Sequence, residues 1–321
     1  MKMNLLELAN EIIDGKLLQK GDNLDFLVTC DLSELKEAAN RIRKAFCGDT
    51  VDLCTIINGK SGNCGENCKY CAQSSYNHTS CKNYNFLNGD LILREARNNA
   101  SEGVNRFAIV TSGKSLSGKE FEQALDIYSK INKETTLSLC ASLGFLTKNQ
   151  FKKLYDVGVR NYHDNIETSR RYFPHICTTH SFDEKIATIK LAQSVGFNVC
   201  SGGIIGMGET WQDRIDMALT LQNLKIKSIP INVLMAIPGT PLENQAPLSP
   251  EEILRTIAIF RLINPSADIR LAGGRKLLPN NGKEAFSCGI SSTITGNMLT
   301  TSGSTIKSDR NMLKQLGRIV I

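Results

Sequence analysis

The chain has 321 residues, of which 41% are hydrophobic and 22% charged, and a formal net charge of +6. That is apolar material for one large core or two modest ones, while the scattered Lys and Arg lack the clustered basic face of a nucleic-acid binder. No run of about 18 apolar residues offers a membrane span and the charged opening Met1–Leu8 is no export signal, so the eleven cysteines read as reduced thiols and metal ligands of a cytoplasmic protein, not as disulfides.

Residues 3–45 read as two or three helices, with Leu5/Leu8/Ile12 and Leu35/Ala38/Ile42 in the helical period. They form a predicted N-terminal helical extension (1–48) ahead of the main domain (49–321). Cys30 and Cys47, within it, read as structural. From Val51 the rhythm changes. Strands are predicted at Val51–Ile57, Arg106–Thr111, Thr136–Cys140, Val159–His163, Phe197–Ile205, Ser228–Leu234, Asp268–Leu271 and Ser291–Thr295. Helices are predicted near 90–101, 118–131 and 147–156. More begin at the capping boxes Ser181-x-x-Glu184, Thr210-x-x-Asp213 and Ser249-Pro250-Glu251-Glu252. Gly103, Gly158 and Gly196 close helices just before strands, where a left-handed residue is wanted.

Eight strands alternating with helices require parallel pairing and right-handed crossovers. That pattern and length suit an α/β fold of the (β/α)8 TIM-barrel type. A doubly wound open sheet is the alternative, but no G-x-G-x-x-G turn follows the first strand. Barrel sites form at the C-terminal ends of strands, and the chemically loaded residues cluster there. Cys64–Cys71 follow strand 1, Cys140 ends strand 3, and His163-Asp164-Asn165 follow strand 4. Cys200 lies in strand 5, Asn232 in strand 6, Arg270 in strand 7, and Thr300-Thr301 after strand 8.

The stretch Cys64-Gly65-Glu66-Asn67-Cys68-Lys69-Tyr70-Cys71 sets three thiols at C-x3-C-x2-C spacing in one short loop. Soft sulfur ligands at this spacing suit an iron–sulfur cluster or a zinc ion completed by His78. With an aromatic before the last Cys, the motif resembles the radical S-adenosylmethionine (SAM) enzymes. In that family three cysteines hold a 4Fe-4S cluster whose open iron chelates SAM, which is then split to a 5′-deoxyadenosyl radical.

Four further stretches narrow the resemblance. Tyr162–Ser169, Cys200–Thr210, Pro230–Leu234 and Arg270–Arg275 look like the biotin synthases, over about residues 50–316. Cys140, Cys200 and Arg270 with Met298-Leu299-Thr300-Thr301 favour that branch over the hydrogenase-maturase and methylornithine-forming types, and over a zinc-binding barrel. The resemblance implies sulfur insertion into dethiobiotin at the cost of SAM, in a homodimer fed by a flavodoxin or ferredoxin-type electron donor. It implies that Cys64, Cys68 and Cys71 hold the 4Fe-4S cluster. Tyr70, Asn165, Glu167 and Lys185 then contact SAM, the last two standing where the family has Asp and Arg. His163, Asn232, Thr300 and Thr301 are the expected contacts of dethiobiotin.

An auxiliary cluster, the sulfur donor, is implied on three Cys and one Arg. Cys140, Cys200 and Arg270 match, but the strand-2 position is Ala108, which cannot bind iron. Cys177, where the family has an aliphatic residue, is the expected substitute. Three thiolates suit a four-iron cube better than a 2Fe-2S rhomb. Cys54, Cys81 and Cys288 read as structural.

Overall fold

The computed structural model describes residues 4–296, 299 and 303–320. It begins with α1 (Leu5–Ile13), α2 (Phe26–Thr29) and α3 (Leu32–Cys47). Leu5, Leu8, Ile12, Leu35, Ala38 and Ile42 are all buried, so the expected apolar stripes are the faces on which α1 and α3 pack. The Asn4 side chain accepts from the N–H groups of Leu6 and Glu7, and that of Asp31 from Glu34, which starts each helix by satisfying otherwise free donors.

The alternating part then runs β1 (Thr50–Lys60), α4 (Gly89–Ser101), β2 (Arg106–Thr111), α5 (Gly118–Glu134), β3 (Ser138–Ser142), α6 (Lys148–Asp156) and β4 (Asn161–His163). It continues through α7 (Phe173–Ile176), α8 (Phe182–Val195), β5 (Asn198–Cys200), β6 (Gly203–Ile205), α9 (Trp211–Asn223), β7 (Ser228–Val233) and α10 (Pro250–Ile263). It ends with β8 (Asp268–Leu271), β9 (Ser292–Ile294), α11 (Ile306–Gln315) and β10 (Ile319–Val320). All pairings are parallel, and β1 bonds both β2 and β9, closing a barrel. β10 pairs with the first residues of β1, Thr50 and Val51. With β5 and β6 as one interrupted stave, the barrel has the expected eight.

The capping boxes form as read, at Thr147, Ser181, Thr210 and Ser249. Gly103, Gly158 and Gly196 adopt φ of +75°, +99° and +108°. The fifth stave departs from expectation because its backbone is used elsewhere. Gly202 N–H donates to Asn165 Oδ1 at 3.0 Å, and Gly202 C=O accepts from Glu167 N at 3.1 Å. The loop after β4 thus takes the bonds a neighbouring strand would have had. Such close approach needs glycine: a Cβ on Gly203 would stand 2.3 Å from Glu167 O. The segment between β8 and β9 holds 3₁₀ turns at Arg275–Leu277 and within Pro279–Ser287, the latter interrupted by Asn280, Asn281 and Gly282 at positive φ.

Candidate active site

Inward-facing residues near the start of the strands form a charged layer. Asp52 Oδ2 accepts from Arg106 Nη2 at 2.8 Å, Arg106 Nε at 3.1 Å and Arg270 Nη2 at 2.8 Å. Arg270 also donates to the carbonyls of Asp52 and Thr293 at 3.2 Å and to Ser228 Oγ at 3.4 Å. Burial alone opposes charge on each group. The attraction between them outweighs it, holding Asp52 below the usual carboxylate range and both arginines above theirs. Arg270, expected as a cluster ligand, lies at this layer with its guanidinium hydrogen-bonded to Asp52 and lines the same cavity as Cys140 and Cys200.

Next to this layer lies a cavity of about 390 Å³ lined by Cys54, Cys140, Cys200, Arg106 and Arg270 at one end and by Tyr70, Cys71, Asn165 and Glu167 at the other. Cys54 corrects the sequence reading. Its signal was parity: Cys54 is two residues from inward-facing Asp52, and side chains alternate along a strand. It shares the cavity with Cys140 and Cys200 and pairs in register with Arg106. Burial pushes Cys54 up to about 11 and Cys140 well above the thiol range. Burial also opposes ionisation of Cys200, yet its hydrogen bond with His163 and the charges of His163 and Arg270 bring it down to about 7. His163, expected at the substrate, lines this same cavity.

The cysteine loop follows β1. Its main chain is pinned from the C-terminal side: Cys64 N–H donates to Gln73 O at 3.0 Å, Ser75 Oγ to Cys64 O at 2.9 Å, and Asn77 Nδ2 to Cys71 O at 2.8 Å and Cys68 O at 3.2 Å. The three thiols are half-buried, and that of Cys71 lines the cavity. Among the described residues, the trio whose ligand atoms all fall within 4.8 Å of one another is Cys68, Cys177 and His180. Cys64, Cys68 and Cys71 are spread more widely than one zinc ion would draw them. His78 is exposed, and its N–H bonds Gly239 O.

Cys177 does not join Cys140 and Cys200. It caps the C-terminus of α7, its N–H on Phe173 O at 3.1 Å, and that turn packs on the cysteine loop through Lys69 N–H to Ile176 O at 2.9 Å. Its sulfur lies 3.7 Å from that of Cys68. The shared hydrogen bond pushes the Cys68 thiol up and pulls Cys177 down to about 3, as two sulfurs with one proton between them require.

Around the loop after β4, Tyr70 and Glu167 line the same end of the cavity, and Lys185 Nζ donates to Asp164 Oδ1 at 2.7 Å. Burial raises Glu167. It opposes charge on Lys185, but Asp164 and Glu167 hold that ammonium above its ordinary range. Glu167 sits at φ +68°, a costly conformation for a residue with a side chain. Asp164 Oδ2 and Glu167 Oε2 are buried with no partner. Buried acceptors of this kind want a donor, and a ligand carrying hydroxyls and an ammonium would supply it. Asn232 lines the cavity but is held by backbone, donating to Gly203 O at 3.2 Å and accepting from Gly273 N–H at 3.0 Å. Thr300 and Thr301 lie outside the described residues.

Two sets of three thiols at the rim and interior of one barrel suit polynuclear iron–sulfur centres, and the orphaned carboxylate oxygens suit SAM. Fold and site together define an enzyme of the radical SAM class. Two family models match: "Radical SAM superfamily" over residues 60–221, and "Biotin and Thiamin Synthesis associated domain" over 230–319. The chain is 56% identical to the biotin synthase of Clostridium beijerinckii, over 97% of this chain and 98% of that one. It is 53% identical to that of Alkaliphilus metalliredigens, over 98% and 99%. Among solved structures, methylornithine synthase superposes with a TM-score of 0.84 at 18% identity, covering 98% of this chain and 97% of that one. The FeFe-hydrogenase maturase HydG from Carboxydothermus hydrogenoformans gives 0.78 at 16%, covering 98% and 79%. These two show the shared fold. The chain belongs to the biotin synthase family.

Proposed function

We propose that the chain converts dethiobiotin to biotin with Cys64, Cys68 and Cys71 holding the 4Fe-4S cluster and Cys54, Cys140 and Cys200 holding the auxiliary one. The observation that carries the reading is one cavity with the cysteine loop at its mouth and three buried thiols at its floor. When bound, the clusters and SAM supply hydrogen abstraction from unactivated carbons and the sulfur inserted between them.

The chain's own residues bind, orient and keep water out. Lys185 holds Asp164, so that carboxylate is aimed before SAM arrives, with the free oxygens of Asp164 and Glu167 left to meet it. Asn165 is fixed in turn by Gly202 N–H. Lys185 keeps the positive charge expected opposite SAM's carboxylate without Arg's bidentate fork. At the floor, Arg106 and Arg270 place positive charge beside three thiolates, which favours their ionised, iron-binding form. His163 steadies Cys200. Ile56, Val233, Leu234, Met235 and Leu299 give the cavity apolar walls, so the reaction runs in a dry space that limits side reactions. Asn232, with Thr300 and Thr301, is the proposed partner of the ureido ring. A flavodoxin or ferredoxin-type donor and a homodimeric state complete the proposal on family resemblance. No helix among the described residues is long and apolar enough to cross a membrane.

Anaerobic purification with iron and sulfide counts, followed by turnover with SAM and dethiobiotin, tests the reading. About eight irons per chain, with biotin formed, is the expected result. SAM cleavage indifferent to dethiobiotin, with no thiolated product, would reassign the chain to another radical SAM chemistry.

A further inference from the structure

We infer that Phe145 is a positioning residue for SAM: the face of its ring holds the Lys185 ammonium where that group meets SAM's carboxylate. This rests on the proposal that Lys185 is the contact of that carboxylate. Lys185 Nζ lies 5.1 Å from the centroid of the Phe145 ring and donates to Asp164 Oδ1 at 2.7 Å, with 13% of the side chain exposed. Among the described residues Nζ has no other hydrogen-bond partner. Of its three N–H donors, one goes to Asp164 and the ring takes up a second side of the ammonium, which leaves the third side for a ligand.

Main-chain bonds fix the ring. Phe145 N–H donates to Lys114 O at 2.8 Å, Leu116 N–H donates to Leu143 O at 2.9 Å, and Ser115 and Gly144 form an antiparallel bridge. The loop after β3 is thereby laced to the loop after β2. The Tyr162 hydroxyl donates to Gly144 O. Gly144 has φ +80°, and a Cβ there would stand 2.2 Å from Lys114 O, so the approach that sets Phe145 in place requires glycine. The His180 ring meets the Phe145 ring edge to face, with centroids 5.3 Å apart at 80°.

A lysine where the family has arginine must be aimed by other means. Arginine's planar fork is fixed by two bonds to one carboxylate, whereas an ammonium on a flexible four-carbon stem pivots about its single bond to Asp164. An aromatic face attracts the cation and adds no net negative charge. A further carboxylate beside Asp164 and Glu167 would instead repel the carboxylate of the ligand. Lys114 Nζ also approaches this ring, but at 5.8 Å, with its side chain 45% exposed and paired to Glu184 at 3.1 Å. Desolvation strengthens the attraction between a cation and a ring, so the ring acts chiefly on the buried ammonium of Lys185.

The test is equilibrium dialysis of SAM against the anaerobic, cluster-loaded protein, with KM and kcat measured beside it. Phe145→Leu, apolar but without a ring face, is expected to weaken SAM binding about three- to tenfold and to raise the KM for SAM more than it lowers kcat. Phe145→Tyr, which keeps the face, is expected to stay within about twofold of the unsubstituted chain. In a Lys185→Met background the cation is gone, so adding Phe145→Leu should weaken binding no further. If the leucine variant does not fold, a ring-fluorinated phenylalanine at 145, similar in shape but with its negative face withdrawn, is measured in its place. An unaltered SAM affinity in the variant without the face, an equal loss in Phe145→Tyr, or an effect undiminished in the Lys185→Met background overturns the inference. Unaltered SAM affinity in Lys185→Met alone would instead sink the contact on which it stands.

Discussion

Replacing Asp52 by Ala removes the anion shared by two guanidinium groups at the floor of the cavity. Its Oδ2 accepts three charge-assisted hydrogen bonds, at 2.8, 2.8 and 3.1 Å. Asp52 is 9% and Arg270 1% exposed, so water and salt screen the pair little. Leaving a buried ion without its partner costs about 3–5 kcal/mol. Spread over an unfolding entropy of about 2 cal/mol/K per residue, that loss lowers the Tm by roughly 4–8 °C. Asp52→Asn, which keeps an oxygen but not the charge, falls between the two. Asp52 has its folded pKa below the unfolded value, so its contribution is complete above the ordinary aspartate range and disappears as pH falls through the depressed folded pKa. The Tm gap between the unsubstituted chain and Asp52→Asn should accordingly be flat from neutrality down to about pH 5 and close only in stronger acid. Thermal unfolding of the reduced, anaerobic chain followed by circular dichroism reads both quantities. An unchanged Tm in Asp52→Ala, or a gap that narrows between pH 8 and 6, refutes the reasoning.

Cys68→Ala should abolish release of 5′-deoxyadenosine from SAM under reducing, anaerobic conditions, measured by chromatography. Cys54→Ala should lose the auxiliary iron and all biotin formation while SAM cleavage continues; full iron retention would return Cys54 to a structural role. In Gly203→Ala the new methyl would stand 2.3 Å from Glu167 O and 2.5 Å from Met217 Sδ. Strain of about 1–3 kcal/mol, relieved by displacing the Glu167 loop, should weaken SAM binding about tenfold or more in equilibrium dialysis. Lys185→Met strands the buried carboxylate of Asp164 and should raise the KM for SAM, whereas Lys185→Arg, keeping the charge, should recover much of it.

The elements that sequence alone determined are those whose causes are local. A capping box is four residues long, so Thr147, Ser181, Thr210 and Ser249 announce their helices wherever the chain goes next. The closing glycines before β2, β4 and β5 answer to one residue's φ. The cysteine loop is legible for the same reason: three soft ligands within eight residues need no tertiary contact to be brought together. The parallel sheet followed from alternation, since strands joined through helices pair in parallel with right-handed crossovers, and the count of eight favoured closing it into a barrel.

Cys54, Cys177 and the break in the fifth stave were decided by tertiary structure, because each depends on what lies across from it. Cys54 is one residue in an apolar-looking strand until β2 and β8 bring Arg106 and Arg270 to the same interior layer. Alternation along β1 sets two possible faces, and only closure of the barrel says which is inside. Cys177 lies 109 positions from Cys68 in sequence. Its place follows from where α7 stops and which backbone groups of the cysteine loop that turn bonds, a long-range match no local pattern encodes. Gly202 gives its backbone bonds to Asn165 and Glu167, so a stretch that reads as one strand is two. Local sequence specifies the conformations a segment favours, while the neighbours a side chain meets depend on loop closures over tens of residues, whose outcome is set by packing of the whole barrel.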